Sequence, residues 1–453
     1  MVGTSMPKLR PVPLGTTIRD AAIPIVGAAG DYQPLYDLIG NARVVLLGEA
    51  THGSHEFYRE RARITARLVE DFGFTIVAVE ADWPDAFRVN RWIHGVGDDT
   101  SAAEALGSFG RFPRWMWRNR DVLAFVSWLR EHNDALPRAA RKVGFYGLDL
   151  YSLYASIEAV LRYLDEADPE AARRARFRYG CFDHYGEDSR AYGYAAAINI
   201  SASCEQGAVE QLLELQRRAG ELSRGSGDLP GDAHFIAEQN ARLVRNAEAY
   251  YRTMFRGRIS SWNLRDRHMA ETLGSLLLHQ TLRGGPTRAV VWAHNSHIGD
   301  ARATSMGRSG EWNVGQLARE QYGSDAVLVG FSTWRGTVAA AAEWDGPVRR
   351  MRVQPALPGS VEALFHAARV PDFLLRIRGD EEVQAAMAET WLERAIGVVY
   401  RPETERLSHY FETRLAEQFD AVIHFDQTSA VEPLDIGQDW AQDDLPGTYP
   451  SGL

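Results

Sequence analysis

The chain has 453 residues, 45% hydrophobic and 24% charged, the balance of a globular protein with enough apolar residues for one large core or two smaller ones. Its formal net charge of -10, without any basic stripe, argues against nucleic acid as a partner. No run is long or apolar enough to span a bilayer, and the opening MVGTSMPKLRPVPLG has no apolar segment of signal-peptide type, so a cytoplasmic location without a membrane partner is expected.

In chain order, the first strand expected is RVVLLG (43–48), which stops at Glu49-Ala50-Thr51-His52. A charged helix follows in SHEFYRERARITARLVEDF, with Phe57, Arg61, Ile64 and Leu68 along one apolar stripe. A buried arginine without a partner costs about 3–5 kcal/mol, so Arg61 must meet a carboxylate or a developing negative charge, unless it reaches the surface. TIVAVE (75–80) and KVGFYG (142–147) are the next strands. From 151 to 285 the pattern turns helical, with SLYASIEAVLRYLDEAD, EQGAVEQLLELQRRAGEL, DAHFIAEQNARLVRNAEAYYRTMF and SWNLRDRHMAETLGSLLLHQTL as helices and RGSGDLPGD (224–232) as a loop. RAVVWA (288–293), AVLVGF (326–331), DFLLRI (372–377), AIGVVY (395–400) and AVIHF (421–425) return to strand character, and an acidic tail occupies 431–453. The strand runs are nearly continuous in apolar residues, as in a parallel sheet covered on both faces. The expected fold is therefore α/β: a mostly parallel sheet flanked by helices, in two parts (1–150 and 286–430), with an all-helical subdomain (151–285) inserted between them.

Two cysteines, Cys181 and Cys204, are too few for a disulfide framework. Cys181 and His184 form a C-x-x-H, which supplies only two of the ligands a zinc site needs. His184, His234, His279, His366 and His409 read as surface or core residues, and His55 as an exposed first-turn residue. Trp83, Trp115 and Trp117 either wall an apolar substrate or belong to the core. The Gly-rich stretch GDARATSMGRSGEWN (299–313) reads as a loop over the site or on the surface.

Four strands end in ionisable groups: Glu49 and His52, Glu80 and Asp82, Asp149, and His294 with His297. Ligands in open α/β sheets bind beyond the carboxyl ends of the strands, so these groups converge if the strands are parallel neighbours. No G-x-S-x-G, phosphate loop or G-x-G-x-x-G is present. Histidine, carboxylate and arginine suit proton transfer to and from water, with arginine stabilising an oxyanion. The set fits attack of activated water on an ester or similar carbonyl. Metal chemistry is the competing reading, since the same side chains are ligands, although an arginine facing the cavity repels a cation.

GEATHG after a strand, an arginine nine positions beyond its histidine, VAVEADWPD, WNLRDRHMA and AHNSHIGD together resemble the erythromycin esterase family, over about residues 35–431. The resemblance implies an α/β core with a helical subdomain and hydrolysis of a macrolide-type lactone without metal or other cofactor. It places the general base on His52, its orienting carboxylate on Glu49, and further site residues on Arg61, Glu80, His294 and His297. Asp149, Asn295, Arg265 and Asp266 are the expected substrate-binding residues beside them. A more distant likeness to the haem-binding ChaN-like group keeps a binding protein open, and a lyase, isomerase or acyltransferase remains the other enzymatic alternative. The partner implied is a small-molecule ester or lactone.

Overall fold

The computed structural model describes residues 14–436 and 440, apart from 139, 186–187, 198–202, 223–229 and 256. The strands in chain order are β1 (Ile23–Pro24), β2 (Val44–Leu47), β3 (Ile76–Asp82), β4 (Gly144–Asp149), β5 (Ala289–Trp292), β6 (Ala326–Ala340), β7 (Arg349–Val353), β8 (Asp372–Arg376), β9 (Trp391–Arg394), β10 (Tyr410–Thr413) and β11 (Ala421–Thr428). Six of them, in the spatial order β4-β3-β5-β2-β6-β11, are parallel. β8 and β1 extend the β11 edge in antiparallel sense.

Both faces of the sheet are covered, which is why its strands carry unbroken apolar runs. Along β2, Val44 and Leu46 enter one buried cluster while Val45 and Leu47 enter the other, as the two-residue period of a strand requires. The first cluster continues into the helices Leu153–Ala167, Pro169–Tyr179, Ser189–Ala197, Glu205–Leu222, Pro230–Met254 and Arg258–Gly284. These helices, inserted between β4 and β5, share a core with the sheet. The second cluster is closed by His55–Phe72, Trp83–Ile93 and Arg120–Ala135.

Several expectations change. DFLLRI is a strand, but β8 runs antiparallel to β11; burial on both faces gives either direction the same apolar run. AIGVVY is not a sheet strand: Ile396 and Val399 make single bridges to Thr51 and Ala341. Its apolar side chains Ile396 and Tyr400 instead fill a small cluster with Val338, Ala340 and Val353. The strand lies just upstream, where β9 pairs antiparallel with β10 outside the main sheet. Residues 224–229 of the expected loop lie outside the described residues, and Pro230 already begins a helix, at the position where proline's missing N–H costs nothing. The stretch 299–313 contains two short helical turns, Ala301–Ala303 and Ser305–Arg308, capped by Asp300 and Thr304. Cys181 and Cys204 form a disulfide across Cα atoms 5.9 Å apart, which removes Cys181 from any metal-ligand role. Most of the acidic tail lies outside the described residues, but Glu432 pairs with Arg120 and Asp435 with Arg118. No described helix is long and apolar enough to cross a membrane.

Candidate active site

Because β4, β3, β5 and β2 are adjacent and parallel, their carboxyl ends deliver Asp149, Glu80, His294–His297 and Glu49–His52 to one edge. The small residues of GEATHG have a steric reason. A Cβ on Gly48 would lie 2.1 Å from Asn295 Oδ1, and one on Gly53 would lie 2.0 Å from the Ala339 carbonyl oxygen. Only glycine lets the turn pass between the β5 and β6 extensions.

Two linked groups result. In the first, His52 Nδ1 is 2.8 Å from Glu49 Oε1, and Arg61 Nη2 donates to Glu49 Oε2 at 2.5 Å. Arg61 is fully buried, its guanidinium lying 4.4 Å from the Tyr58 ring and 5.0 Å from the Trp292 ring. These aromatic faces partly replace water for Nε and Nη1, which have no hydrogen-bond partner. The Tyr58 hydroxyl donates to the His52 carbonyl at 2.9 Å and fixes the turn from the same helix.

Arg265 organises the second group. Its Nε and Nη2 grip Asp149 at 2.9 and 2.6 Å, Nη2 also reaches Glu80 at 2.7 Å, and Nη1 lies 2.9 Å from His297 Nε2. Three of its five N–H groups are thereby held by carboxylates, and a fourth faces His297. His297 Nδ1 is 2.8 Å from Asp266 Oδ1, its Nε2 is 3.3 Å from Glu80, and Trp262 stacks on the ring at 4.4 Å and 8°. Burial opposes the imidazolium, but Asp266 and Glu80 outweigh it and raise His297 to about 9. Burial likewise pushes the Glu80 carboxyl up, yet His297 and Arg265 hold it well below the usual range. His294 behaves oppositely: burial and the neighbouring His52, 4.8 Å away ring to ring, drive it well below 6.5. Its Nδ1 accepts from the Ser296 backbone N–H at 3.2 Å and lies 2.9 Å from Ser296 Oγ. The ring proton therefore sits on Nε2, and the Ala50 backbone also contacts the ring as a hydrogen-bond acceptor.

A cavity of about 710 Å³ opens over this edge, within the range of small-molecule sites. His52, Glu80, Asp149, Arg265, His294 and His297 line it; Glu49, Arg61, Asn295 and Asp266 do not. Two substrate-binding expectations are corrected accordingly. Asn295 turns into the sheet, donating to Phe331 O at 2.8 Å and Glu393 at 3.1 Å. Asp266 lies behind His297 and also accepts from Val314 N at 3.1 Å. Arg61 serves Glu49 and does not reach the cavity, which removes the oxyanion half of its expected role. Trp117 lines the cavity, whereas Trp83 and Trp115 are core. His55 is partly exposed and pairs with Asp121 at 2.9 Å.

A family model described as erythromycin esterase matches residues 69–428. The chain belongs to the erythromycin esterase family. Erythromycin esterase type II of Escherichia coli is 25% identical over 422 residues, covering 89% of this chain and 93% of that protein. The protein named "Putative hydrolase YbfO" of Bacillus subtilis (strain 168) is 23% identical over 424 residues, covering 87% of this chain and 85% of that protein. Among solved structures, a succinoglycan biosynthesis protein superposes with a TM-score of 0.72 at 22% identity, covering 92% of this chain and 97% of that one. The erythromycin esterase EreC, a histidine variant in its open conformation, gives 0.65 at 18% identity, covering 89% and 95%. At these identities the structures establish a shared fold.

In this erythromycin esterase family chain, Glu49, His52 and Arg61 precede the matched span, while Glu80, Asp149, Arg265, His294 and His297 lie within it. The sequence reading missed Trp262, Tyr151 and Arg111. Trp262 had a usable signal, standing one helical turn from Asp266. Tyr151 stands two positions after Asp149 and lies 5.1 Å from the Arg265 guanidinium. Arg111 pairs with Asp82 at 3.3 Å from a segment without a recognisable motif. Asp82 and Asp85 line the same cavity, with burial raising them to about 6 and about 7.

Proposed function

We propose that this protein hydrolyses an ester or lactone by direct attack of water, without a metal. Family membership supports a hydrolase in general; the observation that carries the specific reading is the Arg61–Glu49–His52 relay at the cavity floor. With Nδ1 held by Glu49, His52 has Nε2 free to take a proton from water. The water oxygen bonds to the carbonyl carbon, and the carbonyl oxygen becomes an oxyanion. His294 Nε2–H, on a ring that lines the cavity beside His52, is suited to receive that charge. Collapse breaks the bond to the alkoxide, which leaves with the proton His52 took up, so the site returns to its starting state. Arg265 and protonated His297 neutralise Glu80 and Asp149, so the carboxylates do not repel an oxyanion forming beside them.

The oxygens of Glu49, Glu80 and Asp149 are committed to guanidinium, imidazole and backbone N–H groups, and no three His, Cys, Asp or Glu side chains among the described residues are arranged to hold a metal ion. The Escherichia coli relative is named for erythromycin, which places a macrolide lactone among the substrates to test. The deciding experiment is mass spectrometry of products from an aryl ester, simple lactones and a fourteen-membered macrolide, run in chelator. A gain of one water on any of them is expected. Product formation only after metal is added would overturn the metal-independent reading.

A further inference from the structure

β6 is longer than its neighbours. Ala326–Thr333 is buried in the sheet, and Gly336–Ala340 pairs with β7 as a hairpin beyond the strand ends. The hairpin tip is tight: Asp345 has φ 61°, a conformation aspartate tolerates, and Gly346 N donates to Glu343 O at 3.2 Å. This turn carries Trp344 to the cavity, where it is 51% exposed. The helix Glu405–Ser408, between β9 and β10, brings Leu407 to the same cavity, 88% exposed.

Among the described residues Trp344 is the only tryptophan that is largely exposed. Trp344 is also braced. Phe112 packs at 5.0 Å, and the Arg190 guanidinium lies 5.2 Å from the ring, with Nη1 3.6 Å from Asp345. Arg190 comes from the inserted helices and Phe112 from the segment after β3, so three separate parts of the chain hold one exposed ring at the cavity. Phe112, Val398 and Phe411 add apolar lining, whereas the floor is ionic. Such a cavity matches a molecule with a polar reacting group and an extended apolar body.

We propose that Trp344 is a specificity-determining residue that grips the apolar body of the substrate, so that esters with a long apolar acyl chain are preferred over short ones. The kinetic test rests on the hydrolase reading; the binding test does not. Turnover of para-nitrophenyl acetate and para-nitrophenyl octanoate is compared in the unaltered protein, Trp344→Ala, Trp344→Phe and Leu407→Ser. Trp344→Ala is expected to raise KM for the octanoate about tenfold, the scale of a lost apolar pocket contact, with kcat and the acetate KM little changed. Trp344→Phe is expected to restore most of the loss, and Leu407→Ser to show a smaller effect in the same direction. An unchanged octanoate-to-acetate ratio in Trp344→Ala, in a protein that turns both over, would overturn the inference and leave the hydrolase reading intact. If the unaltered protein turns over neither ester, the hydrolase reading loses its support, and calorimetry with the corresponding para-nitrophenyl amides decides this one. Tighter binding of the octanamide that disappears in Trp344→Ala supports it; equal binding of both amides overturns it.

Discussion

Arg61 illustrates how one side chain couples stability to chemistry. It is buried with no route to water, and its carboxylate partner is the group that holds His52. Arg61→Met should cost about 3–5 kcal/mol, because Glu49 is left as a buried charge without its counterion. Urea unfolding measures that loss, and turnover should fall with it as His52 loses its fixed orientation. His52→Ala separates the two effects: turnover should vanish while the unfolding midpoint stays within the range of an ordinary substitution, and near-normal turnover would overturn the base assignment. The sequence showed Arg61 as a charge on an apolar stripe, which is a local, periodic signal. It did not show its partner, since Glu49 is brought close by the sheet and not by helical spacing. Asn295 shows the limit of reading by adjacency. It stands between two histidine-bearing positions of the motif, yet its amide bonds Phe331 and Glu393 inside the protein. Proximity in sequence to a site residue says nothing about the direction of a neighbouring side chain.

At the level of elements, the site exists because parallel strands end together, and this was legible from four apolar runs each closing on an ionisable group. What the runs could not specify was strand direction and membership of the sheet. β8 reads like its parallel neighbours, and Ile396–Tyr400 reads as a strand while serving as packing beneath the β6–β7 hairpin. Burial produces apolar sequence whatever the hydrogen bonds do. The turn after β2 is more informative, because its glycines answer to a specific close approach. In Gly53→Ala the new methyl would meet the Ala339 carbonyl, an atom of backbone that cannot swing aside. The turn must then move away from β6, carrying His52 with it. A loss of about 1–3 kcal/mol is expected from overpacking of this kind, read by urea unfolding, together with a fall in kcat larger than any change in KM.

Over the whole molecule, the buried ionisable groups make stability depend on pH, and the sign can be worked out. His297 binds its proton more tightly when folded, about 9 against 6.5. Its contribution to stability is therefore complete below pH 6.5, declines as the pH rises through the interval, and is gone above about 9. The amount is on the order of 3 kcal/mol if the full shift is realised. Other buried acids act in the same direction at their own positions. Burial raises Asp85 to about 7 and Glu393 to about 8, so each also favours the folded state when protonated and loses that advantage as pH rises. Depressed groups do not offset this interval. Glu80, held well below its usual range, contributes stability that is present above the unfolded carboxylate value and lost only in acid. The measurement is urea unfolding from pH 6 to pH 10, for the unaltered protein and for His297→Asn, whose amide keeps a donor for Asp266 but cannot titrate. The unaltered protein should lose stability across the range. The variant should be less stable at pH 6 and should converge toward the unaltered protein by pH 10, because only the His297 share has been removed. Parallel curves, offset equally at every pH, would mean that His297 is neutral in the folded state and that the contact between its Nε2 and Arg265 Nη1 prevails over the pull of Glu80 and Asp266.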